Sequence, residues 1–462
     1  MAITAPTYDP IPTATGLATT SVAKSRALLN SQSATNKATN AALTTLGSAL
    51  SAFQSSLSSL TSGTKTISAT SATFSNTAVA TATATSKAAA GTYSFYVEQL
   101  ATAGQTSYDI PDASVPNTGV MNITLQDNST FQVSLANADT DGNGLSAKEI
   151  AAAINASASN NSQVTASTVT VNGATKLVLT STKTGFNAGV KEMAFQDDDL
   201  NIAPDVKTQT VLTAAADAKV WLGGKTGTLI QQATNTFNVI DDVSFTINQA
   251  QAPSDNPLTL KVAPDNSATA ANVQSFVTAY NTLLGVFKSV ASVGDPATGV
   301  AAGALSSDSA IQALRNKIDS TLRAATGNNS LVSFGVTGNR DGTLSLDTAR
   351  LTRSVAANPE AIDKLFGRAS SIGSNESGVL GALNKVVDAW TNSTNGTLNA
   401  RKDASTRQAA SITARLATLD TQYDSAYKRY LTQFTTLQQL QSSMNNTSAL
   451  FTAMFSSNSN NN

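Results

Sequence analysis

Near the end of the chain the apolar residues fall at Ala409, Ile412, Leu416, Leu419, Tyr423, Ala426 and Tyr430, in alternating steps of three and four. That spacing keeps one narrow stripe on a single side of a helix, the seam of a coiled coil. Past Tyr430 the stripe slips and continues through Phe434, Leu437, Leu440, Met444, Phe451 and Met454 to Phe455. Neither Gly nor Pro occurs from Thr397 to Phe455, so one long helix is predicted. Such a helix cannot bury its stripe against itself. The other end of the chain repeats the alternation at Leu43, Leu46, Leu50, Phe53, Leu57 and Leu60. These six are predicted to pair with Ile412, Leu416, Leu419, Tyr423 and Tyr430 as an intramolecular coiled coil.

Counting back in sevens from Leu43 gives Asn36, Leu29 and Val22; from Leu46 it gives Thr39, Gln32 and Ser25. One rail is half apolar and the other polar. Each missing buried Leu forfeits roughly 1.5–3 kcal/mol. The stretch from Asn30 to Ala42, and the segment from Leu440 to Phe455, are therefore expected to order only when a partner covers them. Val22, Leu29, Leu440, Met444, Phe451, Met454 and Phe455 are the expected partner contacts. Gly63 closes the first helix.

Between the ends the period changes to two. Tyr93, Phe95 and Val97 share a strand face, and Ala78 to Thr85 reads as another strand. Pro111 to Pro116 reads as a boundary. Beyond it Met121/Ile123/Leu125 and Phe131/Val133/Leu135 alternate, a short helix follows from Ser146, and strands resume at Val164–Val171 and Lys176–Thr180. Phe237/Val239, Val243/Phe245/Ile247 and Leu258/Leu260/Val262 most simply complete the sheet begun near Tyr93. The helical period returns with Val273, Phe276, Tyr280, Leu283, Phe287 and Val290, then with Ile311, Leu314, Ile318 and Leu322, and last with Leu380, Leu383, Val387 and Trp390. The fold class expected is multidomain α and β: a terminal helical coiled-coil or bundle region with two β-rich domains, one inserted in the other. The boundaries expected are an N-terminal leg at 1–42, a helix at 43–64 pairing with a helical domain at 267–436, a β-rich domain from 65–117 and 207–266, an inserted module at 118–206, and a C-terminal leg at 437–462.

Composition narrows the function. Charged residues are 13% of 462, against ~25% in an average soluble chain, and the formal net charge is −1. Nothing draws such a chain to nucleic acid or an anionic membrane. Cys and His are both absent, which removes disulfides, His-activated nucleophiles and most zinc sites. No spacing singles out a Ser–Lys or carboxylate pair, so no enzyme, cofactor or metal is expected. Met1 to Pro12 lacks a basic stretch followed by an apolar run, so no cleaved leader is expected, and no apolar run reaches the ~18 residues of a membrane span.

Two motifs are decoys. Asp139-Thr140-Asp141-Gly142-Asn143-Gly144 opens like a calcium loop, but the twelfth position is Ile150 and Glu149 is one early. A capping box, Ser146 with Glu149, accounts for it better. Gly224-Lys225-Thr226 lacks the first glycine of a phosphate loop, because Lys219 stands there.

Several blocks in order carry a resemblance. Gly16-Leu17 and Leu46-Gly47-Ser48-Ala49-Leu50-Ser51-Ala52-Phe53 are followed by Ala90-Gly91-Thr92-Tyr93 with Val97-Glu98-Gln99-Leu100-Ala101. Phe276-Val277-Thr278-Ala279-Tyr280-Asn281, Arg340-Asp341-Gly342-Thr343-Leu344-Ser345-Leu346-Asp347, Asn358-Pro359 and Leu365-Phe366-Gly367 come next, and Tyr430 to Leu437 with Met444-Asn445 closes the series. Together they resemble the flagellar filament-cap (hook-associated protein 2) family over nearly the whole chain. The residues from Ala18 to Ala42 depart from that family's pattern. The resemblance implies export through the flagellar type III channel and an extracellular place at the distal filament tip. It implies a homo-oligomeric ring, typically of five copies, that folds and inserts flagellin and prevents its loss. Flagellin, the hook–filament junction protein and an export chaperone are the implied partners. The alternatives are another axial flagellar protein, a junction protein or a flagellin, and a surface adhesin whose inserted module binds host mucin or glycan.

Overall fold

The computed structural model describes residues 9–63, 65–110, 119–195, 209–324, 330–369 and 376–458. Met1–Tyr8 and the Pro111–Pro116 boundary lie outside the described residues. The chain divides into two compact units, residues 1–67 with 270–462, and residues 68–269.

Helix α1 (Pro10–Leu60) opens the chain and is 51 residues long. The Asp9 carboxylate accepts from the Ile11 amide at 3.0 Å, and Pro10 takes the first turn, where its missing N–H costs nothing. The helix stays unbroken through Asn30–Ala42, the stretch expected to order only against a partner.

The second unit carries β1 (Thr70–Phe74), β2 (Ala80–Ala84), β3 (Gly91–Gln99), β4 (Gln105–Asp109), β5 (Val120–Leu125) and β6 (Thr130–Ser134). It continues with α2 (Ala147–Ala156), β7 (Val164–Val171), β8 (Ala174–Ser181), β9 (Val190–Phe195) and β10 (Gln209–Thr213), then β11 (Ala218–Leu222), β12 (Thr228–Gln232), β13 (Thr236–Ile240), β14 (Val243–Ile247) and β15 (Leu258–Pro264). One sheet runs β1-β15-β3-β11-β12 and a second β13-β14-β2. Of the three runs expected to complete the sheet begun near Tyr93, only Leu258–Val262 does so, in β15 beside β3 with Leu260 opposite Tyr93; Phe237/Val239 and Val243–Ile247 instead lie in β13 and β14, which join β2 in the second sheet. Phe74, Phe95, Phe237 and Phe245 fill the space between the two sheets; Phe95 and Phe245 stand 4.9 Å apart and Phe237 stacks on Phe245 at 5.1 Å.

The inserted module has its own core, from Tyr108 and Met121 to Met193, between a sheet β10-β4-β8-β7, a sheet β6-β5-β9 and α2. Its edges differ from the expected 118 and 206. Strands β4 and β10 belong to it, and the chain crosses into and out of it where Thr102 and Ala216 exchange backbone hydrogen bonds of 2.9 and 3.3 Å. The pattern Gln-Thr-Ser-Tyr-Asp in β4 holds one large apolar residue, Tyr108, which is too faint an alternation to mark a strand.

The first unit continues with α3 (Asn266–Ala291), α4 (Ser309–Arg323), a two-stranded ribbon of β16 (Val336–Gly338) and β17 (Leu344–Leu346), α5 (Thr348–Ala357), α6 (Pro359–Phe366), α7 (Gly378–Thr391) and α8 (Thr397–Asn458). Asp308 caps α4 through the amides of Ala310 and Ile311, and Asp347 caps α5 through that of Arg350. The core joins Leu43, Leu46, Leu50, Phe53 and Leu57 of α1 to Phe276, Tyr280 and Leu283 of α3, Ile311, Leu314 and Ile318 of α4, Phe366, and Leu380 and Leu383 of α7.

One pairing is corrected here. The stripe Leu43–Leu57 does not meet Ile412–Tyr430; it meets α3, α4 and α7, with Leu398 the buried contribution of α8, and Leu60 packs at the margin of the same core. Helices α1 and α8 do pair, antiparallel, with the start of α8 level with Gly47, about three-quarters of the way along α1.

Candidate interaction surface

Three contacts fix the register. Gly47 lies under Leu398, Asn36 bonds Ser405, and Arg26 pairs with Asp420. The stripe Ile412–Tyr423 therefore falls opposite Val22 and Leu29. Ile412 and Leu419 are buried with Val22 and Leu29, and Leu416 and Tyr423 pack at the rim. Val22 and Leu29, expected to touch a partner, are thus occupied inside the chain. Tyr430 is half-buried beneath the Arg429 guanidinium, 5.0 Å from its ring centre. Where one rail has little to bury, the seam is closed by a polar rung: the Asn36 side-chain amide donates to the Ser405 carbonyl at 3.1 Å, and the Ser405 hydroxyl donates to Asn36 Oδ1 at 3.4 Å. The count in sevens put Asn36 on the seam, but nothing in the sequence said which residue faces it.

Since Arg26 pairs with Asp420, Pro10, sixteen residues earlier, lies level with about residue 436. Helix α8 runs on to Asn458, about 33 Å further at 1.5 Å per residue. Along this extension Leu440, Met444 and Phe451 are 57%, 63% and 57% exposed, and Leu437, Leu450 and Met454 are exposed too. Steps of three, four and seven align Leu437, Leu440, Met444 and Phe451 on one side. The Phe455 side chain lies outside the described residues. Scattered exposed apolar residues are ordinary; the alignment of this run on one helix makes it the candidate interaction surface.

The loop before α2 is built as the capping box predicts. The Ser146 hydroxyl accepts from the Glu149 amide at 3.3 Å, and Glu149 Oε2 accepts from the Ser146 amide and hydroxyl at 3.0 and 2.8 Å. Glu149 Oε1 accepts two further bonds of 2.7 Å from the Thr140 amide and hydroxyl. Led by the Thr140 bonds and then those of Ser146, the Glu149 carboxyl is held down at about 2. Asp139, Asp141 and Glu149 bring carboxylate oxygens within 4.8 Å of one another. Those carboxylates already accept loop donors, including the Gly142, Gly144 and Asn143 amides. Gly223 and Gly224, both at positive φ, turn the chain between β11 and β12, and Lys225 there lies over the Tyr96 ring and donates to the Pro253 carbonyl. Among the described residues no helix is long and apolar enough to cross a membrane.

Comparison with known proteins gives these features a context. The sequence profile of the flagellar hook-associated protein 2 N-terminus matches residues 14–104, and that of its C-terminus matches residues 215–446. The stretch between the two matches coincides with the inserted module, Gln105 to Thr213. Lateral flagellar hook-associated protein 2 of Vibrio parahaemolyticus is 31% identical over 388 residues, covering 80% of this chain and 83% of the relative. The B-type flagellar hook-associated protein 2 of Pseudomonas aeruginosa is 29% identical over 394 residues, covering 80% and 79%. A crystal structure of the D1-D2-D3 domains of the flagellar cap protein FliD from Escherichia coli superposes with a TM-score of 0.60 at 25% identity, over 79% of this chain and 99% of that one.

Proposed function

The chain belongs to the flagellar hook-associated protein 2 family, a structural and not an enzymatic family, and from that membership we propose that it caps the distal end of a flagellar filament. In this reading copies of the chain form a ring, the β-rich domains cover the tip, and flagellin folds and inserts beneath them.

The observation that carries the reading is the apolar extension of α8 beyond the level of Pro10. A cap has to hold the filament and yet step aside as each subunit arrives. Burying one Leu, Met or Phe contributes about 1.5–3 kcal/mol. Four such side chains, Leu437, Leu440, Met444 and Phe451, set against the ~4–15 kcal/mol cost of association, make each extension a weak binder alone. Several extensions in one ring act together, so the ring stays while any single contact lets go.

The test is electron microscopy of cells lacking the protein. Bare hooks, with flagellin shed into the medium, support a cap. Full-length filaments on such cells rule it out.

A further inference from the structure

Two separate apolar clusters lie along α1 and α8. The large one takes Ala42, Leu43, Leu46 and Leu50 from α1 and Leu398 from α8. The small one consists of Val22, Leu29, Ile412 and Leu419, with Leu416 and Tyr423 at its rim. Between them stands the Asn36–Ser405 rung. Both residues are more than nine-tenths buried, at 7% and 6% exposure. Val22, Leu29, Asn36, Leu43 and Leu50 succeed one another in sevens on α1, as do Leu398, Ser405, Ile412, Leu419 and Ala426 on α8, and all are buried. On each helix, one step of an otherwise apolar ladder is polar.

We propose that this rung is where the stalk opens: α1 up to about Asn36 and α8 from about Ser405 separate and re-pair as one cooperative segment while the helical domain stays folded.

Three features support this. The small cluster shares no member with the large one, so losing it leaves the core of the helical domain covered. Asn36 and Ser405 trade their mutual hydrogen bonds for bonds to water on opening, which a leucine pair cannot do. The distal stalk is also weakly held elsewhere. Its ion pair, Arg26 with Asp420, has both side chains substantially exposed and is worth little. Its threonines and serines, among them Thr19, Thr20, Thr413, Thr418, Thr421 and Ser425, turn their hydroxyls back onto their own helix carbonyls. Such helices are poor once separated. Ala14 and Ala18 on α1 and Ala426 on α8 are buried, so the two backbones come close near the tip of the pair, but small side chains add little apolar area. Opening would free Val22, Leu29, Ile412 and Leu419, residues with the heptad spacing that a helix of another subunit can fill.

Hydrogen exchange with mass spectrometry on the dilute full-length chain tests this. Amides of residues 14–32 and 409–430 are expected to exchange together, at least about tenfold faster than those of residues 43–57. In the variant Asn36→Leu/Ser405→Leu the two clusters join, and distal exchange is expected to slow by at least about tenfold with little change at 43–57. Leu29→Ala in the native background is expected to speed exchange in the distal segments alone. Distal exchange in step with residues 43–57 in the native chain overturns the proposal, as do unchanged distal rates in the leucine variant. If that variant fails to fold, Leu29→Ala decides: faster exchange confined to the distal stalk supports an opening segment, and faster exchange in both regions contradicts it.

Discussion

A Leu398 δ-methyl of α8 occupies the space where a side chain on Gly47 of α1 would begin. This is the closest approach of the two long helices that the sequence could have announced, since a glycine inside a helix costs about 1 kcal/mol relative to alanine and wants a reason. Gly47→Leu is expected to lower the stability of the helical unit by about 1–3 kcal/mol, the usual cost of overpacking, after offsetting the gain in helix propensity. The chain has two tryptophans. In a Trp221→Phe background, Trp390 fluorescence during urea unfolding reports this unit alone. An unchanged midpoint would mean that Leu398 rotates away without loss.

Tyr280 ties α3 to α4 and to the turn before β17. Its hydroxyl donates to Asp319 at 2.9 Å and lies 3.2 Å from the Gly342 carbonyl. Tyr280→Phe is expected to cost about 1–2 kcal/mol by leaving those acceptors a donor short. Burial, then the Asp319 hydrogen bond and charge, pushes this phenol above its ordinary 10.0. A raised value in the folded chain contributes stability below pH 10 that is lost as pH rises beyond it, because the unfolded phenol ionises first. The alkaline loss of stability should therefore be smaller in Tyr280→Phe than in the native chain, measured by the same urea titration at pH 9 to about 11.

Glu149 sets the opposite limit in the inserted module. Its carboxyl is held at about 2, against an ordinary 4.5, by four donated bonds. A lowered value contributes stability above pH 4.5 that disappears as pH falls towards 2. Carbon-detected NMR of the Glu149 carboxyl should give a midpoint near 2 in the native chain and a higher one in Ser146→Ala. A midpoint near 4.5 in the native chain would mean that the capping box does not persist in solution.

Removing the extension separates binding from folding. A chain ending at Thr436 loses no buried residue among the described ones, and surface changes of this kind usually alter stability by less than ~0.5 kcal/mol. The helical unit should unfold at the native urea midpoint, while retention of flagellin on cells carrying this chain falls to the level of cells without it. Normal filament growth with the shortened chain would relieve the extension of the role given to it.

Much of the fold was legible because periods are local. The steps at Val273–Val290 and Ile311–Leu322, the capping box at Ser146, and the return of Leu258–Val262 to the strand of Tyr93 all follow from side-chain spacing. The partner of each stripe was not legible. Leu43–Leu60 and Ile412–Tyr430 are the two strongest runs, and strength suggested that they meet. Geometry decided otherwise: α8 starts at the polar joint beside the helical domain, so Leu398 takes the place opposite Gly47 and the later stripe is carried out to Val22 and Leu29. An antiparallel register depends on where a helix begins, and a heptad pattern repeats without saying where it starts. The same limit placed β4 and β10 in the outer β-rich domain rather than the inserted module, because their places are set by long-range pairing with β8 and with each other.

The most direct measurement follows the purified chain on growing filaments. Flagellin is added to short filament seeds in the presence of gold-labelled chain, and the products are imaged by electron microscopy. The account expects one cluster of gold at a single end of each filament, staying at that end as the filament lengthens. Gold distributed along the filament, as an incorporated axial subunit would give, or none on filaments that grow equally well, would contradict it.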